Sequence, residues 1–253
     1  LKGIKLDIPD KTTMTPNGAL FRTDKQGFLP KMMQELYDER VIYKKKMLSA
    51  QQEYEDTKDK KYLKLISRYN NIQMARKISL NSAYGAIGNQ WFRYYDKAIA
   101  EGITKSGQLS IRWIENKLNK YLNNILKTND DYVIASDTDS VYLTMDKLVT
   151  QTIKSDNALS KTINFLDKVA SESIEPYITK SYEQLKQYTN AFANKMIMKR
   201  EVIADKGIWV AKKRYILNVW DSEGVSYKQA RLKMMGIEAV KSSTPSMCRQ
   251  KIK

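Results

Sequence analysis

The 253 residues carry 44 Lys and Arg against 28 Asp and Glu, a formal charge of +16, with one cysteine and no histidine. The single Cys248 excludes an internal disulfide and a cysteine-bound zinc, and the lack of histidine excludes imidazole acid–base chemistry, so carboxylates, amines and phenols must carry any catalysis. The charge surplus favours a polyanionic partner, because each cation placed on a phosphate releases a condensed counterion, although a merely soluble basic protein shares the same composition.

Residues 1–28 contain Pro9, Pro16-Asn17-Gly18 and Gly27 and predict loops with short strands. A helix is predicted from Pro30, with Met33, Leu36, Tyr37 and Ile42 at apolar positions. On it Arg40 and Lys44, four apart, share a face. This helix fades in the polar stretch from Glu53 to Lys60, and a second one, from about Lys61 to Ala86, completes an antiparallel hairpin with a charged tip. Lys77, Asn81 and Tyr84 fall at i, i+4 and i+7, which aligns an ammonium, an amide and a phenol along one stripe. Gly85 and Gly88 predict the helix end. A solvated helix face would account for the stripe alone. Beside Arg40 and Lys44 it becomes a three-cation cluster suited to a triphosphate.

Trp91 to Asp96 predicts a short strand or an aromatic wedge, and residues 98–126 predict an amphipathic helix with a core stripe through Ile103, Leu109, Trp113, Ile114, Leu118, Tyr121 and Leu122. In Tyr132 to Met145, two runs of β-branched and aromatic residues flank Asp137-Thr138-Asp139-Ser140, the pattern of a hairpin with carboxylates at its tip. The tip has no Asn-Gly or Asp-Gly pair, so something else must hold its shape. Two aspartates one residue apart repel each other unless a cation sits beside them, and a divalent metal would remove that cost. A solvated turn with Asx hydrogen bonds is the competing account of a bare Asp-x-Asp.

A further helix is expected from about Leu159 to Tyr188, interrupted near Pro176. Strands are then expected at Met196 to Met198, Glu201 to Ala204 and Ile208 to Trp220. In the last of these, period-two alternation sets Lys213 with Tyr215 on one face and Lys212 with Arg214 on the other. Asp221-Ser222-Glu223-Gly224 predicts a hairpin turn, Lys233 to Val240 another strand, and Ser242-Ser243-Thr244-Pro245 the cap of a new helix. No apolar run reaches the roughly 18 residues of a membrane span and nothing at the start resembles a signal peptide, so a cytoplasmic setting without a membrane partner is expected. The start at Leu1 rather than Met, and the stop at Lys253 soon after a helix-start signal, lead us to expect a segment of a longer polypeptide.

Three local signals stand in one order: Lys77-x-x-x-Asn81-Ser82-x-Tyr84-Gly85 on a helix, Asp137-Thr138-Asp139-Ser140 on a hairpin, and Lys212-Lys213-Arg214-Tyr215 on a strand. Together they resemble the family-B DNA polymerases, and the flanking text NSAYGAIGNQWFRYYD, KKRYILNVWDSEG and KSSTP is similar to the replicative type of large tailed phages. The resemblance implies an α+β fold: an antiparallel palm sheet backed by helices, with a two-helix fingers hairpin, forming part of a right-hand polymerase. It divides the chain into partial palm (1–28), fingers (29–89), palm (90–236) and the start of a thumb (237–253). It further implies that Asp139 and Asp137 hold metal in a site with two Mg²⁺ ions, with Glu201 a further acidic residue near them. Arg40, Lys44 and Lys77 would grip the incoming triphosphate, supported by Asn81, and Tyr84 would lie beneath the nascent base pair. Lys212, Lys213, Arg214, Tyr215 and Lys241 would contact DNA. The implied partners are primer-template DNA, dNTPs, an upstream polymerase segment or chain, and a sliding clamp reached through a C-terminal part beyond this chain. The implied setting is the cytoplasm of a phage-infected bacterium.

Two departures stand out. The Tyr-Gly pair that precedes Asp-Thr-Asp in the family is Ala135-Ser136 here, and the upstream Asp-x-x-Ser-Leu-Tyr-Pro-Ser motif with the other catalytic aspartate is missing. The chain alone is therefore expected to be a poor catalyst or none, whether it is a piece of a one-chain enzyme or the C-terminal part of a split one. The alternative reading is a non-catalytic basic nucleic-acid-binding module.

Overall fold

The computed structural model describes residues 5–153 and 159–252; residues 1–4 and 253, the outer ends of the expected palm and thumb segments, lie outside the described residues. The chain forms two compact units, Leu1–Leu148 with Glu175–Met198, and Val149–Ile174 with Lys199–Lys253. The architecture is α+β, and its strands divide among three small antiparallel sheets.

In the first unit, β1 (Thr12–Met14) and β2 (Leu20–Arg22) form a short hairpin, followed by α1 (Phe28–Thr57) and α2 (Lys61–Ile87). These two long helices pack as the expected hairpin, joined by a tip in which Lys58 takes a left-handed conformation and donates its N–H to the Tyr54 carbonyl. The first helix ends at Thr57, inside the polar stretch as expected, and side chains there bond within the hairpin: Gln52 Nε2 donates to Asp56 (2.9 Å) and Tyr62 Oη to Glu53 (3.4 Å). The second helix runs through Gly85 and ends at Gly88 in ordinary right-handed geometry.

Trp91 to Asp96 forms no strand but a chain of tight turns, in which Tyr94 meets the ring of Phe28 edge-on at 5.0 Å between centroids, and which end where Asp96 caps α3 (Lys97–Leu126) by accepting the Ile99 N–H at 3.0 Å. One face of α3 is buried through Ile114, Leu118 and Leu122, and it packs on α6 (Glu175–Thr189), which buries Ile178, Tyr182 and Leu185. Each such side chain withdrawn from water contributes about 1.5–3 kcal/mol. The Trp113 indole N–H donates to the Ser181 carbonyl (2.9 Å), and Tyr121 stacks on Tyr177 at 4.1 Å between centroids. Thr13 and Asn190 stitch the first hairpin to the end of α6 through hydrogen bonds of 2.7 Å. The next hairpin, β3 (Val133–Asp137) and β4 (Ser140–Leu143), leads into α4 (Asp146–Thr152).

The second unit holds α5 (Leu159–Val169) and a meander of β5 (Val202–Ala211), β6 (Arg214–Ser222) and β7 (Val225–Met235), followed by α7 (Ser246–Ile252). The interruption expected near Pro176 is a π-helical turn over Ala170–Ile174, the kind of insertion that accommodates a residue lacking an N–H donor. Other expectations for this region are corrected. Met196 to Met198 is not a strand. Ile208 to Trp220 is not one strand but parts of two, because the chain reverses at Lys212-Lys213, with Ala211 paired to Arg214 and Lys213 at φ 61°. Lys233 to Val240 is not a strand of its own, since β7 ends at Met235 and Gly236 turns the chain at φ 62°. The predicted turn after Asp221 is present: Ser222 pairs with Val225, and Glu223 and Gly224 have φ of 52° and 87°, the two positive values a tight hairpin turn requires.

Candidate functional site

The acidic hairpin is anchored before it turns. Tyr132, 2 % exposed, packs with Leu122 and Leu126 of α3, and Leu143, Met145 and Leu148 close over this cluster. The Asn119 side-chain oxygen accepts the N–H groups of both Tyr132 (2.8 Å) and Val133 (3.1 Å), while the Tyr132 hydroxyl meets Thr128 Oγ1 at 2.6 Å. The register shifts once, between Val133 and Ala135, and beyond it the pairs Ser136 with Val141 and Asp137 with Ser140 carry the two carboxylates to the tip. There Asp137 is half-buried and Asp139 exposed. The Asp137 carbonyl accepts the Asp139 N–H at 2.6 Å and the Ser140 hydroxyl at 3.1 Å, and the Thr138 hydroxyl donates to Asp137 Oδ1 at 2.9 Å. These bonds answer what holds a turn without glycine.

Among the described residues no group of three or more carboxylate or thiol side chains comes together to hold a metal. Asp137 and Asp139 nonetheless suit Mg²⁺, a hard cation that takes one or two carboxylates and completes its sphere with water and substrate phosphates. Glu201 belongs to the other unit, where its carboxylate pairs with Lys233 and its carbonyl accepts the Glu223 N–H at 2.6 Å.

The helix hairpin brings its cations to one level. Glu39 and Arg76 form an ion pair across the two helices at 2.7 Å, so their sequence neighbours Arg40 and Lys77 stand at the same height. By helical periodicity Arg40 and Lys44 lie on the flank of α1 that Lys77 and Asn81 share on α2, away from the Glu39–Arg76 bridge. Lys77 and Asn81 are exposed, Arg40 and Lys44 half-buried, and the Arg40 Nε is buried without a hydrogen-bond partner. Tyr84, near the base of the hairpin, meets Thr104 Oγ1 of α3 at 2.7 Å through its hydroxyl.

In the second unit Lys212 and Lys213 occupy the exposed β5–β6 turn. Arg214 and Lys241 are both drawn to Glu238, at 2.6 Å and 3.4 Å. Tyr215 is 5 % exposed, facing Trp209 within the sheet. Sequence reasoning passed over Arg200, whose guanidinium, 13 % exposed, pairs with Asp167 of α5 (2.6 Å) and with Asp221, which is 5 % exposed. The Asp221 carboxylate also accepts the Gly224 N–H (3.1 Å) and the Ser226 hydroxyl (2.8 Å). The only signal for this clamp was the Asp that opens the predicted turn.

A carboxylate-tipped hairpin braced on a helix, a cation-bearing helix pair and a lysine-tipped sheet define an α+β chain equipped for charged substrates. The sequence matches the model of DNA polymerase family B over residues 3–253, and the chain belongs to that family. It is 34 % identical to the DNA-directed DNA polymerase of Escherichia phage RB69 over 295 aligned positions, covering 96 % of this chain and 33 % of that one. It is likewise 34 % identical to the DNA-directed DNA polymerase of Enterobacteria phage T4, covering 93 % and 32 %. A DNA polymerase beta of African swine fever virus is 29 % identical over 60 % of this chain and 12 % of its own. The chain thus spans about a third of the length of the phage relatives. Because the 295 aligned positions outnumber its 253 residues, the RB69 protein carries residues within the aligned span that have no counterpart here. Among the described residues, no helix is long and apolar enough to cross a membrane.

Proposed function

We propose that this chain is the fingers-and-palm segment of a DNA-directed DNA polymerase, with fingers over 29–89, palm over 1–28 and 90–236, and the start of a thumb from 237. The observation that supports it most is the family match across 3–253, within which the carboxylate tip and the cation-bearing helix pair occur in one chain. Asp137 and Asp139 would hold Mg²⁺. In a two-metal site the ions lower the barrier to attack by the primer 3′-hydroxyl and neutralise charge on the α-phosphate and the leaving pyrophosphate. Arg40, Lys44 and Lys77 bind the triphosphate of the incoming dNTP, an arrangement that needs several cations on one flank, and Asn81 adds an amide donor. Tyr84, steadied by Thr104, checks the shape of the nascent pair. Lys212 and Lys213 meet the DNA backbone with Arg214 and Lys241 behind them; Tyr215 contributes through its place in the sheet. Glu201, paired with Lys233, would be a further acidic residue for the metal site. Such contacts register geometry rather than base sequence. The remaining partners are an upstream segment that supplies the further catalytic aspartate and a sliding clamp, in the cytoplasm of an infected bacterium.

The absence of a three-carboxylate cluster among the described residues, together with the charge of +16, supports a second reading, a basic nucleic-acid-binding module without catalysis. Primer extension separates the two. Combined with the upstream segment of its polypeptide and Mg²⁺, the chain should extend a primer on a template. Asp139→Asn should cut extension by at least about 100-fold while DNA binding persists. Extension that survives the substitution removes Asp139 from the site, and failure to extend under any supply of upstream segment favours the second reading.

A further inference from the structure

The Pro16-Asn17-Gly18 turn between β1 and β2 is seated on α3. The Gly18 N–H closes on the Thr15 carbonyl at 2.8 Å and the Thr15 N–H on the Ala19 carbonyl at 3.0 Å, with Gly18 at φ 82°. This is a three-residue hairpin loop, in which proline presets the first position and only the last needs a positive φ. The Thr15 hydroxyl donates to Asn17 Oδ1 at 2.6 Å, which orients the amide so that its Nδ2 donates to the Ala98 carbonyl of α3 at 2.9 Å. The loop comes this close because Gly102 is bare: a Cβ there would stand 3.3 Å from both Asn17 Oδ1 and Thr15 Oγ1. The body of the hairpin is fixed in turn to the end of α6, through Thr13 and Asn190.

On the same first turns of α3, the Ala100 carbonyl accepts the Thr104 hydroxyl at 3.1 Å, and the Ala100 methyl faces the end of α2 at Gly88, where an added Cβ would lie 3.7 Å away. The single Thr104 proton is thereby committed, so the Thr104 oxygen accepts the Tyr84 hydroxyl at 2.7 Å. Loop, helix start and phenol form one bonded path inside one compact unit. We infer that Asn17 is a positioning residue for Tyr84. Its amide, seated over Gly102, sets the height and rotation of the first turns of α3, and Thr104 passes that setting to the phenol. The inference rests on the reading of Tyr84 as the residue that checks the nascent base pair, and it extends that check to a loop that touches neither DNA nor nucleotide.

The test combines the chain with the upstream segment of its polypeptide and Mg²⁺, and compares incorporation of a matched dNTP with that of a mismatched one. Asn17→Asp keeps the oxygen that accepts from Thr15 but replaces the donor with an oxygen that repels the Ala98 carbonyl. Matched incorporation should stay within about twofold of the parent, while discrimination against the mismatch falls about three- to tenfold. Tyr84→Phe, which removes the hydroxyl, should lower discrimination by a similar factor, and the double variant by no more than Tyr84→Phe alone, because the two act along one path. Gly102→Ala separates positioning from stability. Alanine favours the helix, so the melting temperature should hold or rise by up to about 4 °C, yet the loop must lift by a few tenths of an ångström and discrimination should fall about two- to threefold. Parent-like discrimination in Asn17→Asp or, should that variant not fold, in Gly102→Ala overturns the positioning role and leaves Tyr84 in its place. Losses from Asn17→Asp and Tyr84→Phe that multiply, or equal losses for matched and mismatched dNTP in Asn17→Asp, overturn it as well. Parent-like discrimination in Tyr84→Phe, or no extension by the parent, overturns the reading of Tyr84 itself and the inference with it.

Discussion

Two of the charged hairpin tips, one acidic and one basic, are held in opposite ways. The acidic tip at Asp137–Asp139 is fastened locally, by bonds from the Asp139 N–H, the Ser140 hydroxyl and the Thr138 hydroxyl to Asp137. The basic tip at Lys212-Lys213 is fastened from outside, by a glycine more than twenty residues further along the chain. A Cβ on Gly236 would stand 2.1 Å from the Lys213 carbonyl oxygen, closer than atoms can approach, so β7 ends by laying bare backbone against the turn. Arg214, next to the tip, is then drawn to Glu238 two residues beyond that glycine. On the reading proposed above, a pair of like charges kept close benefits from a rigid local frame, whereas a surface proposed to meet the irregular backbone of DNA can be adjusted through distant residues. Substitutions should separate these two designs.

The largest effect is expected from Asp221→Ala. It strips the half-buried Arg200 of its most shielded carboxylate partner and leaves a charge 13 % exposed beside the more exposed Asp167, so the second unit should lose about 3–5 kcal/mol in urea unfolding. The acidic tip, in the other unit, should keep its Mn²⁺ affinity. If both properties fall together, the two tips are not independent. Gly236→Ala comes next. The methyl group must displace the Lys213 carbonyl and itself adopt φ 62°, at a cost of about 2–3 kcal/mol, and the displaced lysines should lower DNA affinity while metal binding is preserved. Unchanged DNA affinity in a folded Gly236→Ala protein would detach the turn from DNA binding.

The same contrast explains what was legible in the sequence. Although the irregularity between Val133 and Ala135 was not legible, the acidic hairpin was readable because runs of β-branched and aromatic residues flank a local turn. So was the Glu223-Gly224 turn, where the glycine advertises the positive φ it needs. Ile208 to Trp220 read as one strand because Lys212 and Lys213 carry no turn chemistry of their own. The reversal there is supported by Gly236, which no window around the lysines contains. Lys233 to Val240 failed for the complementary reason: its apolar residues look like a strand, and a single glycine ends it. The Lys77, Asn81 and Tyr84 stripe was legible from helical spacing alone. What periodicity could not convey was the Glu39–Arg76 bridge that aligns this stripe with Arg40, since pairing across two helices depends on their register. Tyr215, expected at DNA, is buried because the true register of β6 turns it inward opposite Met235.

The smallest expected effect sharpens the comparison at low pH. The Glu238 carboxylate accepts a hydrogen bond from its own backbone N–H and lies beside Arg214 and Lys241, which together hold its pKa below the ordinary value of 4.5. A carboxyl group whose folded pKa is lowered contributes stability that is fully present above the unfolded value and is lost as pH falls through the folded one. Acidification below about 4.5 should therefore release Arg214 and loosen the basic tip, an effect limited by the exposure of the pair. Hydrogen exchange at the Lys213 amide should accelerate a few-fold as the carboxyl protonates. Glu238→Gln should show the faster exchange already at pH 6, with no further change attributable to this group on acidification. At pH 6 that variant should leave exchange at the Asp139 amide untouched, because that amide is held by the Asp137 carbonyl two residues away. If Asp139 exchange instead follows Glu238, the acidic tip too is supported from a distance and the contrast between the tips fails.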